Sequence, residues 1–429
     1  MTDLESRNFF TDPELVADPY GYFDHLRVQC PVHPEPHHNV MMITGYREAI
    51  EIYNDNDGFS ACNAVSGPFP GFPVSLEGDD VSDLIAEHRH KLPMSDQLPT
   101  MDPPAHTAHR ALLMRLITPK RLGENEEFMW HLADRQIDTF IEQGQCEFIR
   151  DFAQPFALLV VADLLGVPDD DRDNFTEQLL RRPKEHGIGS TDEHAMAHNP
   201  LEFLYSQFTA YIEDRRANPR DDVLTGLATA TFPDGSTPEV IDAVRIAANL
   251  FAAGTETTVR LLSTMLYFVA EDPGLQDRIR HDRSLIPNFV EESLRIESPI
   301  KGDFRLARRP VTVGGVDLGA GTTVMVLNGA ANRDPAQFPD PHTLDVERDN
   351  ARSHLAFGRG VHTCPGAPLA RAEARVSLNR ILDRMADIRV SEAVHGPPSD
   401  RQFSYVPTHI LRGLAYIGLE FTPVAAQQT

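Results

Sequence analysis

The chain has 429 residues, 41% of them hydrophobic, and a formal net charge of −25. Such an acid excess argues against a nucleic-acid partner and against an anionic membrane surface, because phosphate-rich partners need basic patches. The four cysteines, Cys30, Cys62, Cys146 and Cys364, show no CxxC spacing, so neither a disulfide framework nor a cysteine zinc site is expected.

The opening stretch, MTDLESRNFFTDPEL, has no basic or apolar region of a secretory signal, and a cytoplasmic location is expected. No run reaches the roughly 20 apolar residues of a membrane span. FALLVVADLLGV stops short and contains Asp163. With no linker, low-complexity block or repeat in view, one domain over residues 1–429 is expected, a helix-rich body with a smaller strand-containing part. VMMIT (Val40 to Thr44) followed by GYREAIEIYND reads as strand, turn and helix. Residues 60–101 are rich in Gly, Pro, Ser and Asp, which predicts a long loop, either functional or disordered. Helical periods return in DPPAHTAHRALLMRLI, FMWHLADRQIDTFIEQG and FALLVVADLLGV, and residues 181–200 read as a second irregular connection.

The most distinctive helix starts at STPEV, where Thr237 suits the N-cap, Pro238 the first turn and Glu239 the positive helix end. Only Gly254 interrupts it before EDPG, giving roughly 33 residues and about 50 Å. Its middle, AVRIAANLFAAG, is apolar on nearly all sides and predicts a buried central helix. Buried helices avoid charge, yet this one carries Glu256 beside Thr257. Then come a helix (IPNFVEESLRIE), a strand pair in PVTVGGVDLGAGTTVMVLN, a Pro-rich coil and a cysteine loop. A last long helix (APLARAEARVSLNRILDRM) and a terminal strand pair in FSYVPTHILRGLAYIGLEF complete the pattern. The fold class is mainly α with small β-sheets.

Cys364 sits in FGRGVHTCPG, just before a helix that begins near Ala367 or Pro368. A helix N-terminus favours a thiolate, and glycines let the backbone turn tightly and approach a flat partner. Three roles remain open on these residues alone: an axial ligand to heme iron, a nucleophile paired with His362 and a buried structural cysteine.

FGRGVHTCPG matches in full the Phe-Gly-x-Gly-x-His-x-Cys-x-Gly signature of the cytochrome P-450 superfamily, which the chain resembles. AAGTETT resembles the family's oxygen-activating segment of the central helix, and ESLR (Glu292 to Arg295) its Glu-x-x-Arg pair. DPPAHTAHR, NRDPAQFPDPHTLDVER and DPYGYFDHLR resemble further bacterial segments in the right order, from about Asp12 to Phe421.

The resemblance implies a heme b cofactor with Cys364 as proximal thiolate, Phe357 packed nearby, and Gly358, Gly360 and Gly366 freeing backbone N–H groups to reach the sulfur. It implies propionate contacts from His106, Arg110, Arg305 and His362, since buried carboxylates need paired cations. Ala253 and Gly254 would face the heme from the opposite side, with Gly254 leaving space beside the iron. Glu256 and Thr257 would relay and donate the protons that oxygen activation requires. On the residues alone, the alternative has Thr257 bonded back to Ala253 and Glu256 in a surface ion pair. Glu292, Arg295 and Arg348 resemble the buried network that fixes the cysteine loop.

The implied activity is monooxygenation of a small hydrophobic substrate, by hydroxylation or epoxidation, with electrons from an acidic ferredoxin and its reductase. A terpenoid or small aromatic is the expected substrate class, and a monomer the expected state. Rival expectations are a peroxide-driven relative, which typically lacks the Glu256–Thr257 type of pair, and a non-catalytic heme sensor. Basic residues at Arg110, Arg115, Lys120, Arg121, Arg359, Arg371 and Arg375 form the expected ferredoxin patch. Residues 60–101 and 181–200, Leu250, Ala253, Ile410 and Leu411 are expected to line the substrate site, with Lys301 and Asp303 left open as polar anchors.

Overall fold

The computed structural model describes residues 4–172 and 201–424, and the stretch expected to connect at 181–200 lies outside the described residues. Seven helices position the site: α1 (Ala105–Leu113), α2 (Pro119–Asp138), α3 (Gln154–Leu165), α4 (Glu202–Ala217), α5 (Val240–Glu271), α6 (Ile286–Ile296) and α7 (Ala367–Arg384). Among the described residues, no helix is long and apolar enough to cross a membrane.

Helix α5 runs for 32 residues and is the axis of the packing. It starts two residues later than Thr237 would place it. Asp242 accepts the Glu239 N–H at 3.2 Å, and this capping interaction makes Glu239 the N-cap. Phe208 of α4 meets Phe251 of α5 with ring centroids 6.2 Å apart. Beside α3, Phe148, Phe152 and Phe156 stack at 5.3 and 5.2 Å. All five rings are buried, each worth about 1.5–3 kcal/mol of apolar transfer.

Strands β1 (Val32–Glu35), β2 (Val40–Ile43), β3 (Phe59–Ser60), β5 (Asp303–Ala307) and β8 (Thr323–Val326) form one sheet in the order β1-β2-β8-β5-β3. Only β2 and β8 pair in parallel. The expected strand pair at 310–328 divides between two sheets. β6 (Val311–Val313) and β7 (Val316–Leu318) make a hairpin turned by Gly314 and Gly315, both at positive φ, while β8 joins the larger sheet. The terminal pair also differs. β10 (Gly418–Pro423) lies between β4 (Gln145–Glu147) and β9 (Met385–Val390). FSYVP adds a single bridge, Tyr405 to Leu414, because Pro407 has no N–H for a ladder. Residues 60–101 are largely irregular apart from a short helix, Ser82–His88, and two 3-10 turns.

Candidate active site

The loop before α7 is wound tightly. Gly358 and Gly360 have φ of +61° and +70°, and a Cβ at Gly360 would strike the Tyr53 carbonyl. The Cys364 N–H donates to the Phe357 carbonyl at 2.8 Å, closing the loop on itself. Backbone N–H groups of Gly366 and Ala367 act on the sulfur, as do the charges of Arg110 and Arg371. Burial nevertheless dominates and pushes the Cys364 thiol up. The helix terminus alone therefore does not hold a thiolate here. A metal cation would, since a coordinating thiol is deprotonated outright.

Four basic groups gather near this loop. His106 and Arg110 come from α1, Arg305 from β5 and His362 from the loop itself. The His106 and His362 rings lie 4.1 Å apart, and Arg110 Nη2 donates to the Thr363 carbonyl at 2.5 Å. Burial, then the Arg110 charge, push His106 down to about 4. Burial, then the Arg305 charge, push His362 down to about 2. Arg305 donates to Asp303 and to the Phe304 carbonyl, both at 2.6 Å, and the Tyr53 hydroxyl also donates to Asp303. Both ring nitrogens of His106 are buried without a hydrogen-bond partner. A buried imidazole with no partner beside the Arg110 and Arg305 cations fits a group that brings buried carboxylates.

The burial of α5 is interrupted from Ala252 to Thr257, where Ala253 and Glu256 are exposed between buried stretches. Thr257 Oγ1 donates to the Ala253 carbonyl at 2.7 Å, and Arg260 Nη2 meets Glu256 Oε1 at 2.5 Å. Both bonds are those of the ordinary-helix alternative, so each group is held by a neighbour on its own helix. Gly254 departs from expectation: a Cβ there would lie 3.0 Å from Val161 of α3, so the glycine serves close helix packing. One residue on, Thr258 donates to Glu373 of α7 at 3.1 Å. The exposed patch and the cysteine end thus belong to helices in direct contact. Thiol, basic cluster and helix opening together fit a heme.

Glu292 and Arg295 form a fully buried pair at 2.6 Å, and Arg348 approaches the same carboxylate at 3.1 Å. Arg295 also donates to the carbonyls of Asn332, Pro341 and Thr343, and Asp345 donates its N–H to Glu292. This network fastens the coil at 332–348 to α6.

Several residues depart from the substrate and docking expectations. Leu250, Ile410 and Leu411 are buried in the core. Lys301 is buried too, with Nζ donating to the Thr408 carbonyl at 2.7 Å, and Asp303 is engaged by Tyr53 and Arg305. In the basic patch, Arg371 binds Glu291, Arg375 binds Glu126 at 2.6 Å, and Arg121 sits between Glu124 and Asp163. Arg115, Lys120 and Arg359 remain exposed. Glu291, Arg260 and Glu373 are polar groups that sequence reasoning passed over. The one local signal was a second acid beside Glu292.

Comparison with known proteins agrees with this geometry. The family model for cytochrome P-450 matches residues 192–409. The solved structure of substrate-free cytochrome P-450 CYP150A6 from Mycobacterium marinum is 56% identical. It covers 99% of this chain and 100% of its own, with a TM-score of 0.92. The 6-deoxyerythronolide B hydroxylase of Saccharopolyspora erythraea is 32% identical over 397 residues, 90% of this chain and 91% of that protein. Cytochrome P-450 144 of Mycobacterium tuberculosis is 31% identical over 405 residues, 93% of this chain and 90% of that protein. Matched by the family model and aligned nearly end to end with these bacterial relatives, the chain belongs to the cytochrome P-450 family and is a heme-thiolate monooxygenase.

Proposed function

We propose that the chain binds heme b through Cys364 and inserts one atom of dioxygen into a small hydrophobic molecule, a terpenoid or small aromatic, by hydroxylation or epoxidation. The observation that carries it is the Glu256–Thr257 pair, Glu256 exposed and Thr257 half-buried, in the middle of an otherwise buried helix. When bound, the heme supplies dioxygen activation and oxygen transfer. Every other element comes from the chain. His106, Arg110, Arg305 and His362 hold the propionates. Phe357, Gly358 and Gly366 would shape the thiolate face, and Ala253 the opposite one.

Thr257 keeps its hydroxyl proton on the Ala253 carbonyl and Glu256 keeps its carboxylate on Arg260. Turning the hydroxyl off its carbonyl presents a proton at the exposed face, and the partly exposed carboxylate replenishes it from solvent. The buried shell of α5 on either side excludes other water. This acid–alcohol pair favours monooxygenation over peroxide-driven turnover.

Electrons come from an acidic ferredoxin and its reductase, docking at Arg110, Arg115, Lys120 and Arg359 on a monomeric, cytoplasmic protein. The hydroxylase among the relatives supports the reaction class. The test is a titration of the heme-loaded protein with terpenoids and small aromatics, read as a low- to high-spin shift. Saturable shifts with those compounds are expected, and their absence across the panel would overturn the substrate class.

A further inference from the structure

Next to the Glu292–Arg295 pair, α6 carries a second buried acid that the reading above leaves unused. Glu291 is 1% exposed, yet it meets three groups from the cysteine side of the molecule, the outermost being the solvent-exposed Arg352 at 3.9 Å. Arg371 of α7 grips it with both arms, Nε to Oε1 at 2.6 Å and Nη2 to Oε2 at 2.9 Å. His354 Nε2 meets Oε2 at 3.0 Å. Because His354 Nδ1 accepts the Ala356 N–H at 3.1 Å, its single proton sits on Nε2, and the ring is a neutral donor to Glu291. Burial pushes the Glu291 carboxyl up, but the bonds from His354 and Arg371 outweigh it and bring it down to about 2.

The Arg371 guanidinium lies 4.7 Å from the centroid of Phe357, whose carbonyl receives the Cys364 N–H. His354 also packs against the same ring, centroids 5.6 Å apart. Arg371 also exerts its charge directly on the Cys364 sulfur. The cluster therefore touches the sulfur twice, once through the Phe357 carbonyl and once through the field.

We propose that Glu291 and Arg371 are positioning residues: a charge-neutral pair that clamps Phe357 and cancels the field at the Cys364 sulfur, setting the reduction potential of the bound heme. This rests on Cys364 being the ligand. With one partner removed, the other's charge is uncovered, the carboxylate in a buried site and the guanidinium at 35% exposure. The two single variants should therefore move the potential in opposite directions, which a purely structural role would not do.

The measurement is the ferric–ferrous midpoint of the purified holoenzyme at mildly alkaline pH, with the reduced carbon monoxide band recorded alongside. Glu291→Gln uncovers the arginine and should shift the equilibrium several-fold toward the ferrous form. Arg371→Met uncovers the carboxylate and should shift it several-fold toward the ferric form, while the double variant returns close to wild type. Arg371→Lys keeps the charge and should stay near wild type, which gives a test even if Glu291→Gln fails to fold. Same-direction shifts, or unshifted potentials with an intact thiolate band, would overturn the proposal. A wild-type protein without a thiolate band would instead overturn the assignment of Cys364.

Discussion

Glu256 and Arg260 lie one turn apart on α5 with Oε1 and Nη2 separated by 2.5 Å, the carboxylate 47% exposed and the guanidinium 5%. The acid is thus tethered to its own helix by one oxygen while much of the carboxylate stays exposed. Glu256→Gln keeps a hydrogen-bond acceptor for Arg260 but loses the proton carrier. It should slow the whole cycle, and general acid–base groups are worth about 100- to 10,000-fold. Thr257→Ala should still consume dioxygen and electrons while releasing hydrogen peroxide, so that product per electron falls. Added peroxide should partly restore Glu256→Gln. Wild-type coupling in Thr257→Ala, with no extra peroxide, would remove the pair from the mechanism.

Cys364→Ala should lose the thiolate-specific band of the reduced carbon monoxide complex, the feature from which the family takes its name. The spectrum of the purified variant checks it, and an unchanged band would mean that another residue holds the metal.

Breaking the buried network should be costly. Glu292→Gln or Arg295→Leu leaves an unpaired charge at a site with no solvent exposure, and a loss of roughly 3–5 kcal/mol is expected. Denaturant unfolding of the heme-loaded protein reads this, and a loss under about 1 kcal/mol would mean that the coil at 332–348 is fastened by other contacts.

In the docking patch, Arg115→Glu and Arg359→Glu should weaken electron transfer from an acidic ferredoxin, most strongly at low salt. Arg375→Glu should weaken it less, because that guanidinium is already committed to Glu126. Equal effects from all three would place the docking surface elsewhere.

Lys301 gives a pH signature. Burial, then the Arg412 and Arg260 charges, bring its ammonium from 10.5 down to about 7. Between those values the unfolded chain holds a proton that the folded protein has released, so stability rises with pH across the window. The contribution is at most about 1.4 kcal/mol per pH unit. Lys301→Met should flatten the rise between pH 7 and 10.5. An identical slope in both proteins would show that the ammonium keeps its proton inside.

The cysteine loop was legible because its chemistry is contiguous: Phe357, Gly358, Gly360, His362, Cys364 and Gly366 stand within ten residues and answer to one local geometry. The length of α5 was legible for the same reason. What stayed hidden depends on partners far along the chain. Glu291 meets His354 and Arg371 across 63 and 80 residues, and no period or spacing connects them. The start of α5 was misplaced because Thr237 and Glu239 both look like caps until the Asp242 side chain chooses. Whether Lys301 anchored a polar group or faced solvent stayed open because only the tertiary fold brings the Thr408 carbonyl to its side chain.

Ala253 and Gly254 are neighbours in sequence but face different constraints. A methyl on residue 254 would press to 3.0 Å from Val161, whereas residue 253 is exposed at the opening of α5. Enlarging residue 253 subtracts volume from that opening and leaves the helix pair undisturbed. Enlarging residue 254 pushes α3 and α5 apart instead. Within this one dipeptide, substitution has more room at the first position than at the second, where any added carbon must displace Val161.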